Sequence, residues 1–193
     1  NSRNTASFNI TPYLRKGKNV VAVEVYRNSD GSFLEAQDMF RLPGIFRAVS
    51  LHAVPKVHIR DLVVIPDLDK NFSDGSLTIK AEIRNLDKKL AKDYKVYYSL
   101  YANKLYSDEN TLVDNLLSTV IKEVVPGESA DVQTVFQMKA PRKWSAEFPY
   151  CYTLVAELKD KKNRTVETVS TIVGFRKVEI RDTPASEDEF GLA

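Results

Sequence analysis

GSLTIKAEIRN, residues 75–85, is the stretch that decides the fold of this chain. Every second residue from position 77 to position 83 is apolar, and the residues between them are polar or charged. The apolar positions are Leu77, Ile79, Ala81 and Ile83, and the polar ones are Thr78, Lys80, Glu82 and Arg84. Side chains on a β-strand alternate between its two faces. The stretch therefore predicts a strand with one buried face and one solvated face.

Similar patterns recur on both sides of this stretch. Further strands are predicted at residues 57–65, 94–101, 116–125, 130–138, 152–158 and 165–180, the last with a bulge at Gly174. Turn residues separate them, and no helical periodicity interrupts the series. Seven short strands in this arrangement predict an all-β chain with an immunoglobulin-like β-sandwich. Cys151 is the only cysteine, so the internal disulfide common in that fold is excluded.

Four tyrosines cluster in the predicted strand at residues 94–101. They would suit a stacking platform for bases or sugars, or they would belong to the core. Tyr94 and Tyr98 share a strand face with Val96 and Leu100, since all four occupy even-numbered positions. We therefore expect these two tyrosines to pack in the core.

The first 54 residues have a different character. Residues 20–26 are rich in valine and predict a strand covered on both faces, and residues 45–54 predict another. A weaker segment at residues 7–14 contains Pro12 and resembles an edge or a connection. These are too few strands to close a sandwich or a barrel, so we expect partner strands upstream. Pro55 marks the boundary with the regular strands that follow.

Composition excludes several classes of partner. The chain has 193 residues, is 43% hydrophobic and carries a formal net charge of +2 with both signs interspersed. This balance argues against nucleic acid and against an anionic membrane surface. No apolar run reaches the roughly 18 residues of a membrane span, and no signal peptide opens the chain. The first residue is Asn1, which suggests an excised piece, and the ends indicate no cellular compartment. His52 and His58 are interpreted as structural because no third metal ligand follows at a suitable spacing.

Residues 29–51 carry the most specific chemistry in the chain. A turn at residues 29–31 leads into an irregular, partly apolar stretch that contains Glu35 and Asp38. Three interpretations remain open from the residue types: an acid pair of the kind that glycosidases use, a sugar or metal site, and acids that cap backbone groups. Sequence spacing in an irregular loop does not decide among them.

Short motifs in and around this stretch carry a family resemblance. Within it stand SDGS at residues 29–32, QDMFR at residues 37–41 and GIFR at residues 44–47. Outside it stand residues 8–14, residues 17–19, WSAE at residues 144–147 and GFRKV at residues 174–178. Together these runs resemble the signature of β-galactosidases of glycoside hydrolase family 2.

The resemblance implies an architecture by position. Members of the family begin with a jelly-roll sugar-binding domain, continue with an immunoglobulin-like sandwich, and carry two catalytic glutamates on a TIM barrel. Residues 1–54 would be the C-terminal part of the jelly roll, residues 55–181 the sandwich, and residues 182–193 a linker toward the barrel. The chain would then be a non-catalytic fragment of a retaining β-galactosidase, inactive by itself, whose sandwich is a structural spacer.

The resemblance also implies a binding site in the complete enzyme. Asp38 matches the family's aspartate that contacts galactosyl hydroxyls and a sodium ion, and Met39 would form an apolar wall beside it. No residue of the chain takes a catalytic role. Sodium and magnesium are implied for the complete enzyme, with a terminal β-galactoside as substrate. The expected protein partners are the barrel, the missing jelly-roll strands and further copies in a homo-oligomer.

Two alternatives differ from this interpretation. An all-β chain with an acidic loop also suits a stand-alone carbohydrate-binding or adhesion module. Another family 2 activity, such as a glucuronidase or a mannosidase, would use the same architecture. The SDGS and QDM runs favour a galactoside.

Overall fold

The computed structural model describes residues 5–34, 44–103 and 110–179. Packing divides the chain into two units, residues 1–52 and residues 53–193. Each unit is described by itself. The linker expected at residues 182–193 lies outside the described residues, and the domain limits inferred from the resemblance stay predictions.

The first unit contains no β-strand among its described residues, so the strands predicted at 20–26 and 45–54 are wrong for this chain. Its regular structure there is one 3-10 turn, Thr11–Tyr13, and one short helix, α1, Asp30–Leu34. The physical reason is the lack of a partner. Backbone N–H and C=O groups of a strand need a neighbouring strand, and the alternating valines at 21, 23 and 25 are exposed rather than covered.

The second unit is a seven-stranded β-sandwich. Its strands are β1 Val57–Leu68, β2 Gly75–Asn85, β3 Ala91–Asn103, β4 Asn110–Val124, β5 Ser129–Met138, β6 Cys151–Lys159 and β7 Thr165–Val173. One sheet has the order β1-β2-β5 and the other the order β4-β3-β6-β7. All neighbours are antiparallel. The predicted immunoglobulin-like sandwich is confirmed.

The core lies between the two sheets and is built by alternation. On β2 every odd-numbered residue from Gly75 to Asn85 is buried, whereas the even-numbered ones are more exposed, as the opening stretch predicts. The large inward side chains, fully buried, are Leu77, Ile79, Ile83, Val96, Tyr98, Leu100, Val124, Leu154, Leu158 and Phe175. Tyr98 belongs to the core and Tyr94 packs against it, so the prediction for these two tyrosines is confirmed.

A tyrosine at the start of β6 reproduces a known feature of immunoglobulin-like domains. The Arg142 backbone N–H donates a hydrogen bond to the Tyr152 hydroxyl at 2.9 Å. In antibody domains a corner tyrosine stands two residues before the second cysteine of the core disulfide. Leu154, fully buried, occupies that position here. Apolar packing thus replaces the disulfide.

The last strand is shorter than predicted. β7 ends at Val173, and residues 174–179 continue without strand structure, so neither the extension toward residue 180 nor the bulge at Gly174 is present. After Val173 the chain leaves β6, its partner in the sheet. Phe175 instead forms an isolated parallel bridge with Lys143.

Strand direction separates the two ends of the sandwich. β2 runs opposite to β1, and β3 starts beside the end of β2, so β3 runs in the same direction as β1. β6 is antiparallel to β3, and β7 is antiparallel to β6. β1 and β7 therefore run in the same direction. The chain therefore enters at one end and leaves at the opposite end. We call these the entrance end, with the turns at 86–90, 125–128 and 160–164, and the exit end, with residues 69–74 and 139–150. The nine residues of β7 alone span about 30 Å at about 3.3 Å per residue.

Candidate functional site

The predicted binding residues lie outside the part of the chain that the structure describes. Asp38 and Met39, together with Glu35, fall within residues 35–43, outside the described residues. Their proposed roles therefore stay predictions. What the structure describes are the flanks of that segment, residues 29–34 and 44–52.

The flank before the gap is ordered by two serines. The Ser29 backbone N–H donates to Ser32 Oγ at 3.1 Å, and Ser32 Oγ donates to the Ser29 carbonyl at 2.6 Å. Asp30 is the first residue of α1, where a negative charge interacts favourably with the helix dipole. The turn predicted at residues 29–31 is thus the first turn of a short helix.

The flank after the gap is exposed. Gly44 has φ +111°, a left-handed conformation that favours glycine. The Arg47 guanidinium lies over the Phe46 ring, 5.5 Å from its centroid. His52 Nε2 and Ser50 Oγ are 2.8 Å apart and share a hydrogen bond.

Metal ligation is not indicated in the part of the chain that the structure describes. Within residues 5–34, 44–103 and 110–179, no three histidine, cysteine or acidic side chains converge. Asp38 lies outside these ranges, so the implied sodium site is not tested.

The entrance end is held by one buried amide. Asn85 is 0% exposed, and its Nδ2 donates to the Lys89 carbonyl at 2.8 Å and to the Val124 carbonyl at 2.9 Å. Its Oδ1 accepts from the Asp87 backbone N–H at 2.8 Å. Both side-chain donors and the acceptor are satisfied, as a buried amide requires. One side chain therefore connects β2, the β2–β3 turn and the end of β4.

The chain that enters the sandwich is attached to the same turn. The Leu86 backbone N–H donates to the Lys56 carbonyl at 2.6 Å, and Lys56 Nζ lies 3.5 Å from Asp87 Oδ1. The Lys88 backbone N–H, followed by the Lys56 charge, lowers the pKa of Asp87. Three residues further along, the Ile59 backbone N–H donates to Glu167 Oε2 on β7 at 2.6 Å. The first residues of β1 are thus bonded to both sheets.

At the exit end, a glycine and a phenylalanine are in close contact. A Cβ on Gly75 would lie 2.8 Å from Pro141 Cγ and 2.9 Å from Phe175 Cδ1. Tyr152 meets the Phe175 ring edge-on, with the ring centroids 5.5 Å apart. The Phe175 side chain is 0% exposed, although it follows the last strand.

Three neighbouring residues add further contacts at the exit end. The Trp144 backbone N–H donates to the Phe175 carbonyl at 2.9 Å, and the Arg176 guanidinium lies 5.0 Å from the Trp144 ring centroid. Lys177 Nζ donates to the Leu68 carbonyl, at the end of β1, at 3.0 Å. Residues 174–177 therefore contact β1 and the β5–β6 connection.

One cavity opens between the sheets near the exit end. It has a volume of about 320 Å³, and the buried side chains of Leu77, Leu100 and Phe175 line its interior. Asp114 and Lys139 line its exposed part. The interior is apolar, and nothing in the described residues favours a particular ligand.

The sequence carried a signal for one of these features. Asn85 continues the odd-numbered buried series of β2, so a polar amide stands where the alternation calls for an apolar residue. Such a residue is expected to have internal hydrogen-bond partners. The contact of Phe175 with Gly75 and the hydrogen bond of Lys177 to Leu68 join residues about 100 positions apart, and spacing in the sequence did not indicate them.

Comparison with known proteins identifies the family. The family model described as Glycosyl hydrolases family 2 matches residues 57–176, and the one for the sugar binding domain of that family matches residues 1–55. The chain belongs to glycosyl hydrolases family 2. The resemblance seen in the sequence is confirmed.

Several curated β-galactosidases are similar over most of this chain. The chain is 43% identical to a β-galactosidase of Priestia megaterium over 178 residues, 92% of this chain and 16% of that protein. It is 36% identical to a β-galactosidase of Pseudoalteromonas haloplanktis over 182 residues, 93% of this chain and 17% of that protein. The chain thus spans about a sixth of the length of the curated relatives it matches.

A solved β-glucuronidase structure has a similar fold. It is Bacteroides uniformis beta-glucuronidase 2 covalently bound to cyclophellitol-6-carboxylate aziridine, with a TM-score of 0.55 and 19% identity. The match covers 64% of this chain and 15% of that one, and at this identity it shows the fold alone.

Among the described residues, no helix is both long and apolar enough to cross a membrane.

Proposed function

We propose that the chain is part of a retaining β-galactosidase that hydrolyses terminal β-D-galactosides, and that its sandwich is a structural spacer. The observation that carries the substrate class is the 43% identity to a β-galactosidase over 92% of the chain. The spacer role is supported by the course of the chain, which enters the sandwich at one end and leaves at the other.

The contacts at both ends support the spacer role. A structural spacer fixes the relative position of the parts that it joins. The chain must therefore be held both where it enters the sandwich and where it leaves it. At the entrance end, Lys56 and Ile59 are hydrogen-bonded to the sandwich through Leu86 and Glu167. At the exit end, Lys177 is hydrogen-bonded to Leu68. Between them lies a continuous core of buried apolar side chains.

The binding role is proposed for the segment at residues 29–47. Asp38 would contact galactosyl hydroxyls and a sodium ion, because a carboxylate accepts hydrogen bonds from hydroxyls and binds hard cations. Met39 would form the adjoining apolar wall. The catalytic carboxylates, magnesium, the barrel and the remaining jelly-roll strands would belong to the rest of the enzyme, which we expect to be a homo-oligomer.

The activity test uses the 193-residue chain and the longer enzyme. We expect the purified chain to release no nitrophenol from a nitrophenyl β-galactoside, and turnover by it would contradict the proposal. In the longer enzyme, Asp38→Asn should lower kcat/KM about 100-fold or more, because the substrate loses a charge-assisted contact. Asp30→Asn, placed on the flank, is the matched control and should stay near the parent value. Equal kinetics for the two variants would remove the role of Asp38.

A carbohydrate-binding module is the second candidate. Residues 1–55 match a family model whose description is a sugar binding domain. Titration calorimetry of the chain with galactose and lactose separates the two functions. Measurable heat of binding by the chain alone favours the module, whereas the spacer expects none.

A further inference from the structure

Residues 174–177 immediately follow the last strand and connect the sandwich to whatever comes next. Each of them has a contact that restricts it. A Cβ on Gly174 would lie 3.1 Å from Trp144 Cβ, so the backbone passes close to the tryptophan. The Phe175 ring is fully buried, Arg176 lies over the Trp144 ring, and Lys177 Nζ is bonded to the Leu68 carbonyl.

These contacts differ from those of a flexible linker. A linker between domains is exposed and has few contacts with either neighbour. Here the Phe175 carbonyl accepts a hydrogen bond from the Trp144 backbone N–H, and Phe175 and Lys143 form a parallel bridge. Val178, the next residue, is 85% exposed.

The anchors come from separate parts of the sandwich. Leu68 ends β1 in the three-stranded sheet, whereas Trp144 lies in the connection between β5 and β6. Lys177 Nζ is also 3.9 Å from Asp67 Oδ1, which adds a charge interaction beside the hydrogen bond. Two anchors on different elements restrict rotation of the segment as well as its translation.

We infer that residues 174–177 form a rigid coupling that holds the chain beyond Val178 in one orientation relative to the sandwich, with Lys177 and Trp144 as its positioning residues. The inference rests on the proposed spacer function, since only a spacer has an orientation to transmit. It adds to that function the residues that set the direction of the outgoing chain.

Distances between spin labels test the coupling on the 193-residue chain itself. One nitroxide is attached at Val178→Cys and the other at Lys80→Cys, an exposed position on β2, in a background with Cys151→Ser. A reference pair joins Lys80→Cys with Thr168→Cys, an exposed position on β7. We expect the Val178 pair to give a single distance distribution as narrow as that of the reference pair.

Two variants and two controls complete the experiment. Lys177→Ala and Trp144→Ala should each broaden the Val178 distribution about twofold while the reference pair stays narrow, because the freed segment gains linker-like mobility. Lys177→Arg retains a donor for the Leu68 carbonyl and should restore the narrow distribution. Lys143→Ala, which keeps the backbone bridge to Phe175, should change nothing.

Two outcomes overturn the coupling. A broad Val178 distribution in the parent chain shows a flexible linker, and a distribution unchanged by Lys177→Ala and Trp144→Ala removes their positioning role. If Trp144→Ala also broadens the reference pair, the sandwich itself is disturbed, and Lys177→Ala alone decides the result. No activity is measured, so failure here leaves the galactosidase proposal to the kinetic test of Asp38.

Discussion

Asn85 and Val124 connect the two sheets of the sandwich through one hydrogen bond, from Asn85 Nδ2 to the Val124 carbonyl at 2.9 Å. Asn85 ends β2 in the three-stranded sheet, and Val124 ends β4 in the four-stranded sheet. Since β2 and β4 belong to different sheets, no ladder hydrogen bond joins them. This buried amide joins the two sheets at the entrance end, as does the hydrogen bond from the Ile59 N–H to Glu167 on β7, and apolar side chains fill the core between the sheets.

Replacing Asn85 by alanine should destabilise the chain strongly. The substitution leaves the buried Val124 carbonyl and the part-buried Lys89 carbonyl and Asp87 N–H without their side-chain partner, and an unpaired buried group costs about 1–3 kcal/mol. We expect the free energy of unfolding in urea to fall by about 3 kcal/mol or more. Asn71→Ala, in the exposed β1–β2 turn, is the matched control and should change it by about 0.5 kcal/mol at most. Equal midpoints for the two variants would contradict the role of Asn85.

Two buried tyrosines should respond oppositely to the loss of a hydroxyl. The Tyr152 hydroxyl accepts from the Arg142 N–H, so Tyr152→Phe should cost about 1 kcal/mol or more. Tyr98 is 1% exposed, and none of the described residues forms a hydrogen bond with its hydroxyl. Tyr98→Phe should therefore leave stability unchanged or raise it. Thermal unfolding of the two variants checks the difference, and a larger loss for Tyr98→Phe would contradict it.

The same burial should govern the ionisation of Tyr98. Burial raises the pKa of Tyr98 to about 12. Ultraviolet titration of the parent chain against Tyr98→Phe should therefore assign to Tyr98 a phenol that ionises well above the usual tyrosine pKa of 10.0. Because the folded-state pKa lies above the unfolded value of 10.0, the neutral phenol is the form the fold requires, and stability should fall as pH rises above 10.0. A Tyr98 phenol that ionises at the usual pKa of 10.0 would refute the prediction.

Gly75→Ala should strain the exit end. The new Cβ would be 2.9 Å from Phe175 Cδ1 and 2.8 Å from Pro141 Cγ, closer than carbon atoms normally approach. We expect a loss of about 1–3 kcal/mol in the free energy of unfolding, as for other overpacked cores. The neighbouring Ser76→Ala faces away from the core and serves as control. Phe175→Leu combined with Gly75→Ala should recover part of the loss, and strict additivity of the two changes would argue against their contact.

The β6–β7 turn should show its ion pair in a titration. The Asp160 carboxylate accepts from Arg164 Nε at 2.8 Å and from Arg164 Nη2 at 2.6 Å. The Arg164 side chain, followed by the Arg164 backbone N–H, lowers the pKa of Asp160 below its usual 3.8. The stabilisation is therefore present above pH 3.8 and lost as pH falls through the lower, folded-state pKa.

Carboxyl-detected NMR measures this pKa directly. We expect the Asp160 midpoint below 3.8 in the parent chain and a higher midpoint in Arg164→Gln. Lys162→Gln is the control, because Lys162 reaches Asp160 through its backbone N–H rather than its side chain. A midpoint that Arg164→Gln leaves in place would show that the ion pair does not set the pKa.

Much of the sandwich was predictable from the sequence, because its pattern is local. The alternation at residues 75–85 gives the bounds of β2 and its buried face, and the even-numbered face of residues 94–101 gives the buried Tyr98. Alternation reports burial on one side of a single strand, which each residue and its near neighbours determine. Asp38 and Met39 were inferred from the family resemblance and stay predictions.

The tertiary structure decided what depends on a partner. The valines at residues 20–26 have strand propensity, but without a neighbouring strand they form none in this chain. Gly174 follows the end of β7 and lies close to Trp144, which the sequence did not indicate. The Lys177 amine is hydrogen-bonded to the Leu68 carbonyl rather than fully solvated. By itself the sequence determined the family, the sandwich and its inward faces. Local patterns do not encode contacts between residues far apart in the chain. Such contacts decided where the last strand ends and how the chain after it is held.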